Sequence, residues 1–317
     1  MKTLGHLCIA CLALCLACIA EEKSTWSRME SPIADPLHNG CFLDAEHGWI
    51  ITYGTGLVLR TENGGDIWMI ASRLDSIFYE CVHFISKEKG WICGENGSLL
   101  QTEDGGLTWH NIKLAPDTYA FYGIYMSEQE RGFLVGIDVS SRKAVFFEST
   151  DSGETWIERS NEVPGACFEP IQFLDANRGF MAGGNRVLRT TDGGRSWIAC
   201  ELDNKTVIRG LHFVDPRYGW AVGHGGDVFR TEDSGHTWQK SERFTLNRLR
   251  SVYFLDDKRG FIVGDQNEEP GSLWWTDDGG EKWSKSDQSL PDLHRLFRSP
   301  KALWAVGKSG TIMKCDY

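Results

Sequence analysis

Apolar and polar residues alternate in short bursts along most of this chain, and the same order of bursts keeps returning. An apolar run leads into a polar turn and then into Gly plus an aromatic. Examples are H-F-I-S-K-E-K-G-W at 83–91, Q-F-L-D-A-N-R-G-F at 172–180 and Y-F-L-D-D-K-R-G-F at 253–261. A second apolar run and a Gly-rich turn follow, as in G-E-N-G at 94–97 or G-H-G-G at 223–226. A third run ends in a box such as T-E-D-G-G-L-T-W at 102–109 or T-T-D-G-G-R-S-W at 190–197. Trp68, Trp109, Trp156, Trp197, Trp238 and Trp283 close six copies of the box, at spacings of 41, 47, 41, 41 and 45 residues. Each period reads as four short strands joined by three turns. A period near 41 with two insertions marks an array of equal units, each able to form one propeller blade.

The box has a physical logic. An Asp in a tight turn accepts hydrogen bonds from backbone N–H groups one or two residues on. Asp104, Asp151, Asp192, Asp233 and Asp278 hold that position, with Asn63 in the first copy. The second Gly supplies a backbone shape that other residues resist. The Trp opens the fourth strand and packs a large ring on its neighbours. This reading gives the boxes a structural role and no catalytic one.

The ends of the chain complete the count. A seventh unit starts at L-F-R-S-P-K-A-L-W, 296–304, and the chain stops at Cys315-Asp316-Tyr317 where its box is due. Ser24-Thr25-Trp26-Ser27 resembles the tail of a box, 42 residues ahead of Trp68. The N-terminal strand is therefore expected to complete the last blade, which leaves no open sheet edge. The predicted fold is all-β: a seven-bladed propeller of four-stranded blades, occupying residues 21–317 as one domain.

Composition narrows the function. Acids outnumber bases by 44 to 33, for a net charge of −11, which argues against a nucleic-acid partner. Lys2, an apolar stretch from Leu7 to Ala20 and the sequence Ala17-Cys18-Ile19-Ala20 read as a secretory signal over residues 1–20. A lipoprotein signal with Cys18 as the lipidated residue is the alternative, although Cys15 stands where such a signal usually has Leu. Both place the mature protein outside the cytoplasm, periplasmic or at an outer membrane. Six of the ten cysteines follow this segment, and Cys81 with Cys93, which flank one hairpin, is the expected disulfide if one forms. No Walker loop, dinucleotide fingerprint, H-E-x-x-H or EF-hand pattern occurs, so no cofactor and no metal are expected.

The box pattern resembles bacterial neuraminidase (Asp-box) repeats. G-W-x-x-G-x-x-G followed by a strand and T-x-D-G-G-x-T-W more closely resembles the photosystem II stability/assembly factor family, over roughly residues 24–317. That resemblance implies a seven-bladed propeller of the thylakoid lumen or periplasm that helps assemble a membrane complex. It implies a non-enzymatic scaffold, monomeric, with a protein partner that is a membrane-complex subunit. Asn63 and the long connections at 136–144 and 264–271 depart from the pattern.

Three sets of residues are candidates for binding. The first turn of several units carries a base just before its Gly: Lys89, Arg131, Arg178, Arg217 and Arg259, with His47 and Lys301 nearby in the first and last. A ring of bases on one face of an acidic protein would steer an acidic partner. Arg60, Arg189 and Arg230 precede the box and are expected to pair with Glu62, Asp192 and Glu232. The two insertions, on the opposite face, are expected to be sites of distinct function. The enzymatic alternative is a sialidase-like glycoside hydrolase or a glycan-binding propeller. It calls for clustered Arg, Tyr and carboxylates on the insertion-bearing face. The F/Y-R-I-P motif of sialidases is absent near the N-terminus, and Phe297-Arg298-Ser299-Pro300 is a partial echo at the other end. His83 and His212 share a strand position and read as half-buried strand residues.

Overall fold

The computed structural model describes residues 25–114, 116–127, 130–160, 170–202, 206–266 and 272–317. They form seven four-stranded antiparallel sheets. In blade 1 the strands, a to d from the axis outward, are Leu37–Phe42, Gly48–Thr52, Leu57–Thr61 and Met69–Arg73. Strands a of blades 2 to 6 are Tyr79–Phe84, Tyr119–Met126, Ile171–Phe173, Ile208–Phe213 and Leu249–Phe254. Neighbouring a strands contact one another around the axis. Blade 7 joins Leu293–Arg298, Ala302–Gly307 and Thr311–Asp316 to the N-terminal strand Trp26–Met29. Trp26 pairs with Cys315 and Met29 with Ile312, so the expected closure is present.

Burial explains why each strand has its sequence. Strands b, such as Gly48–Thr52 and Gly90–Gly94, are buried along their whole length. They carry continuous apolar runs because sheet covers both faces. The outer strands are often only two residues, polar and exposed, such as His110–Asn111 and Gln239–Lys240. The hydrophobic core is divided into seven clusters, one at each seam between blades. Glycine opens strand b because the Phe ending strand a lies over it: a Cβ on Gly90 would stand 2.5 Å from the Phe84 ring.

Chain direction sorts the turns onto two faces. The a–b turns and the box turns lie on one, called here the box face. The b–c turns and the links between blades lie on the other, the loop face. The first insertion extends strands b and c of blade 3 to Gly132–Asp138 and Lys143–Ser149, an ordered hairpin on the loop face. Of the second insertion, residues 267–271 lie outside the described residues, as do 1–24, with the leader and Cys18, and Cys167. Cys81 and Cys93 stand directly opposite in their hairpin but are not joined by a disulfide.

Candidate functional site

The boxes build turns. In blade 2, Thr102 Oγ1 accepts from Gly106 N at 2.9 Å and donates to Asp104 Oδ1 at 2.8 Å. Asp104 Oδ1 accepts from Thr108 N at 2.9 Å, and Oδ2 from Thr108 Oγ1 at 2.6 Å. Asp151, Asp192 and Asp233 repeat the arrangement. Asp278 lacks the second hydroxyl, because Lys282 stands there, yet still accepts Lys282 N at 3.0 Å. Asn63 serves in the first box since only one acceptor oxygen is needed: its Oδ1 takes Ile67 N at 3.0 Å. Burial raises the carboxyls of Asp192 and Asp233, but hydrogen bonds from Ser196, Thr237 and the backbone outweigh it and hold both at about 2.

Each box also closes a seam. Its second glycine lies against the strand-b aromatic of the preceding blade. Trp49 Nε1 donates to Gly105 O and Trp220 Nε1 to Gly279 O, both at 2.9 Å. The box Trp then stands edge-on to a neighbouring ring, as Trp109 does to Phe84 at 6.0 Å between centroids.

The bases of the a–b turns share the box face, but acids accompany them. Lys89 pairs with Glu154 at 3.0 Å, across a seam. Arg131 pairs with Glu148 and lies over Phe133. Arg178 and Arg259 fold back onto Asp175 and Asp256 at 2.6 and 2.8 Å. The same aspartates accept the backbone N–H of Arg178 and Arg259, so these acids shape the turns as well. Arg217 Nε donates to Glu232 O at 2.9 Å and its guanidinium lies over Tyr218. Arg60 and Arg230 pair with Glu62 and Glu232 as expected. Lys89, Arg131, Arg178 and Arg259 therefore stand in ion pairs, while Arg217 is held by a backbone carbonyl and a ring. His83 and Gln172 reach the next blade, His83 Nε2 to Met126 O and Gln172 Nε2 to Phe213 O. His212 Nδ1 accepts from Phe254 N, so this strand position bridges blades.

The loop face carries a second ring that the sequence pattern does not reveal. Five a strands have a β-bulge next to their first residue, and in blade 3, whose strand a starts earlier, the bulge falls at the fourth. The bulged residues are His38, Glu80, Tyr122, Arg209, Arg250 and His294. The equivalent position of blade 4 lies outside the described residues. A bulge re-aims its side chain, and here one such residue per blade stands at the loop-face end of the innermost strand, around the channel mouth. The channel below is a cavity of about 320 Å³, lined by Gly40, Gln172, Gly210, Ser251 and Arg295 among others.

The arginines of this mouth lie on blades 5 and 6, together with Asp265, and two glutamates lie on blade 2. Blades 5 and 6 bring Arg209, Arg248 and Arg250. Arg250 Nε donates to Asp265 at 2.5 Å, Arg248 reaches the same buried carboxylate at 3.5 Å, and Arg209 Nε donates to His224 at 3.2 Å. Blade 2 brings Glu80 and Glu95, and Glu80 accepts from His38 at 2.7 Å. A file of rings runs along the rim: Phe78 against Tyr53 at 4.6 Å, Tyr53 against His38 at 4.8 Å, His38 against His294 at 5.8 Å. Tyr53 and Phe78 are 38% and 40% exposed, high for large rings beside a channel. Burial, reinforced by Arg250, pulls His294 down to about 4; burial with Arg209 does the same for His224. Both imidazoles are neutral near pH 7. Burial, then Glu80, pushes the Tyr53 phenol up. Among the described residues no group of three or more His, Cys, Asp or Glu is placed to hold a metal.

Sequence reasoning missed this ring because a bulge leaves no mark in a simple hydrophobic count. The usable signal was the column just after the first apolar residue of each unit, as in Leu37-His38, Ile208-Arg209, Leu249-Arg250 and Leu293-His294.

Fold and site together define a seven-bladed Asp-box propeller with charged and aromatic side chains around its channel mouth. A sequence profile described as photosynthesis system II assembly factor YCF48 matches residues 19–119, 115–210 and 200–316, and the chain belongs to that family. It is 30% identical over 256 residues to the photosystem II assembly lipoprotein Ycf48 of Picosynechococcus sp., spanning 75% of this chain and 72% of that one. To the protein of the same name from Synechococcus sp. it is 27% identical over 134 residues, 41% of this chain and 39% of the relative's length. A solved structure of YCF48 bound to D1 peptide superposes with a TM-score of 0.72 at 19% identity, covering 92% of this chain and 97% of that one. This last likeness supports the fold.

Proposed function

We propose that this protein is an exported, non-enzymatic scaffold that holds a polypeptide segment of a photosystem II subunit, or of a related membrane complex, during assembly. The observation that carries the proposal is the mouth itself: bulges bring Arg209 and Arg250 of blades 5 and 6 and Glu80 of blade 2 to one rim, beside the exposed rings of Tyr53 and Phe78, in a member of an assembly-factor family. A rigid propeller pays little ordering entropy on binding. An acidic or carboxylate-bearing stretch of the segment faces Arg209 and Arg250, a basic or amide stretch faces Glu80 and Glu95, and an apolar side chain stacks on Tyr53 and Phe78. In one structural relative of this chain, YCF48, the bound segment is a D1 peptide. The relatives' lipoprotein names support a lipid-anchored form at the extracytoplasmic side of a membrane.

Overlapping fluorescent peptides covering the water-exposed segments of D1 test this by anisotropy. One segment should bind, and Arg209→Glu with Arg250→Glu should weaken it at least tenfold, with steeper loss at high salt in the unmodified protein. No peptide bound, or equal affinity in the double variant, would overturn the assignment of the mouth.

One observation favours the glycan reading: arginines, a tyrosine and carboxylates do meet on the insertion-bearing face. The chemistry runs against hydrolysis, however. A nucleophilic phenol needs a base within hydrogen-bond reach, and Tyr53 instead packs its ring between Phe78 and His38. Turnover of a fluorogenic sialoside would reinstate the enzyme.

A further inference from the structure

One step inside the bulges, the a strands carry short side chains. Asn39, Cys81, Gly123, Gly210 and Ser251 hold equivalent register positions, and blade 7 puts Arg295 there. The short residues leave room along the axis, and the cavity of about 320 Å³ occupies it. Its wall is cationic. Arg295 and Arg298 line it, and no Asp or Glu does so among the described residues. His212, also in the wall, is neutral, because burial takes it down to about 3. Arg298 is engaged, lying over the Tyr317 ring and hydrogen-bonded to Tyr253. Arg295 is not: half-buried, it meets no acid and no hydrogen-bond acceptor among the described residues.

An arginine stays charged at every pH a folded protein meets. Half out of water and without a counter-charge, it is costly to hold. The mouth arginines Arg248 and Arg250 do not share the difficulty, since both answer Asp265. A donor stands in the same wall. Ser251 is 5% exposed and lines the cavity. Its Oγ accepts from Leu296 N at 3.1 Å, which leaves the hydroxyl proton free to be donated.

We propose that the channel is a binding site for a small oxyanion of phosphate size. Arg295 clamps it through the paired N–H groups of its guanidinium, and Ser251 supplies a hydroxyl donor. Arg298 and the arginines of the mouth add attraction at longer range. The site joins blade 6 to blade 7, the blade assembled from both ends of the chain, so occupancy is linked to the stability of the closed ring. It does not depend on the peptide reading of the mouth.

The test uses the exported protein dialysed free of phosphate and sulfate, with inorganic phosphate as the probe. Calorimetry should show saturable binding at one site per chain. At about ten times its Kd, phosphate should raise Tm by about 2–4 °C, and sodium chloride at equal ionic strength should not. Arg295→Met should bind phosphate at least tenfold more weakly, and Arg178→Met on the box face should bind it as the unmodified protein does. Arg295→Lys keeps the charge but not the planar fork, and should lose at least threefold while folding normally. No saturable binding would overturn the proposal. So would an equal rise in Tm with sodium chloride, which marks screening alone, or an undiminished response in both Arg295 variants, which puts the anion elsewhere. Peptide binding at the mouth is measured without phosphate, so either reading can fail alone.

Discussion

The indole N–H of Trp49 donates to the carbonyl of Gly105, 56 residues later and one blade on, at 2.9 Å. The same indole stacks on Phe84 with centroids 3.6 Å apart. One strand-b aromatic thus receives both the next blade's inner strand and its box turn. The seams hold the ring together through such three-way contacts, and the box glycines make them possible.

Gly65→Ala should therefore be among the most damaging small changes. Its new Cβ would stand 2.2 Å from the Trp304 ring, at a backbone φ of 85°. Overpacking and left-handed backbone strain together predict a loss of about 2–4 kcal/mol in urea unfolding. Gly225→Ala is the control. It has φ 69° but nothing within 4 Å, so it should cost only about 1 kcal/mol.

Asp192→Asn should be mild and Asp192→Ala should not. Asn63 shows that one amide oxygen can organise the turn. The Asn variant should lose less than about 1 kcal/mol, and the Ala variant about 1–2 kcal/mol, because the bonds from Thr190 Oγ1, Ser196 N and Ser196 Oγ are lost together. Thermal unfolding of the two side by side decides it.

The legibility of this sequence follows the same division. The blade count, the box turns and the terminal closure were readable because each repeats with a fixed residue at a fixed spacing. Lys89 and Arg178 share a face because they occupy equivalent turns of the repeat. Their partners were not readable: Glu154 lies 65 residues from Lys89, and Asp175 reads only as a turn former. The mouth was the least visible. His38, Arg209 and His294 differ from blade to blade, and only the bulge brings them to one ring.

Reversing charge on the box face should leave peptide binding alone. Arg178 and Arg259 stand in a–b turns, at the opposite end of the strands from Arg209 and Arg250. Arg178→Glu with Arg259→Glu should bind within about twofold of the unmodified protein in the anisotropy measurement, since rim charges mainly alter on-rate. A loss comparable to that of the loop-face double variant would move the binding surface to the box face.

Stability should fall in two steps as pH is lowered. Burial takes His212 down to about 3, below its ordinary value near 6.5, with Arg298 adding to the effect. The unfolded chain then takes up a proton that the folded chain refuses. Stability should decline from about pH 6.5 toward 3, with a slope near 1.4 kcal/mol per pH unit for each such His. Below pH 4 the sign is the same but the group differs. The box carboxyls of Asp192 and Asp233, held at about 2 when folded, are protonated first in the unfolded chain. The stability they contribute is complete above their unfolded pKa and is lost as pH falls through about 2. His212→Gln separates the steps, because Gln172 already makes the same bridge between blades, to Phe213 N and O at 2.9 Å. That variant should unfold near the usual temperature at pH 7.5 and show a shallower decline between pH 6.5 and 4, with the acid step unchanged. A slope identical to that of the unmodified protein would mean that His212 is protonated in the folded state.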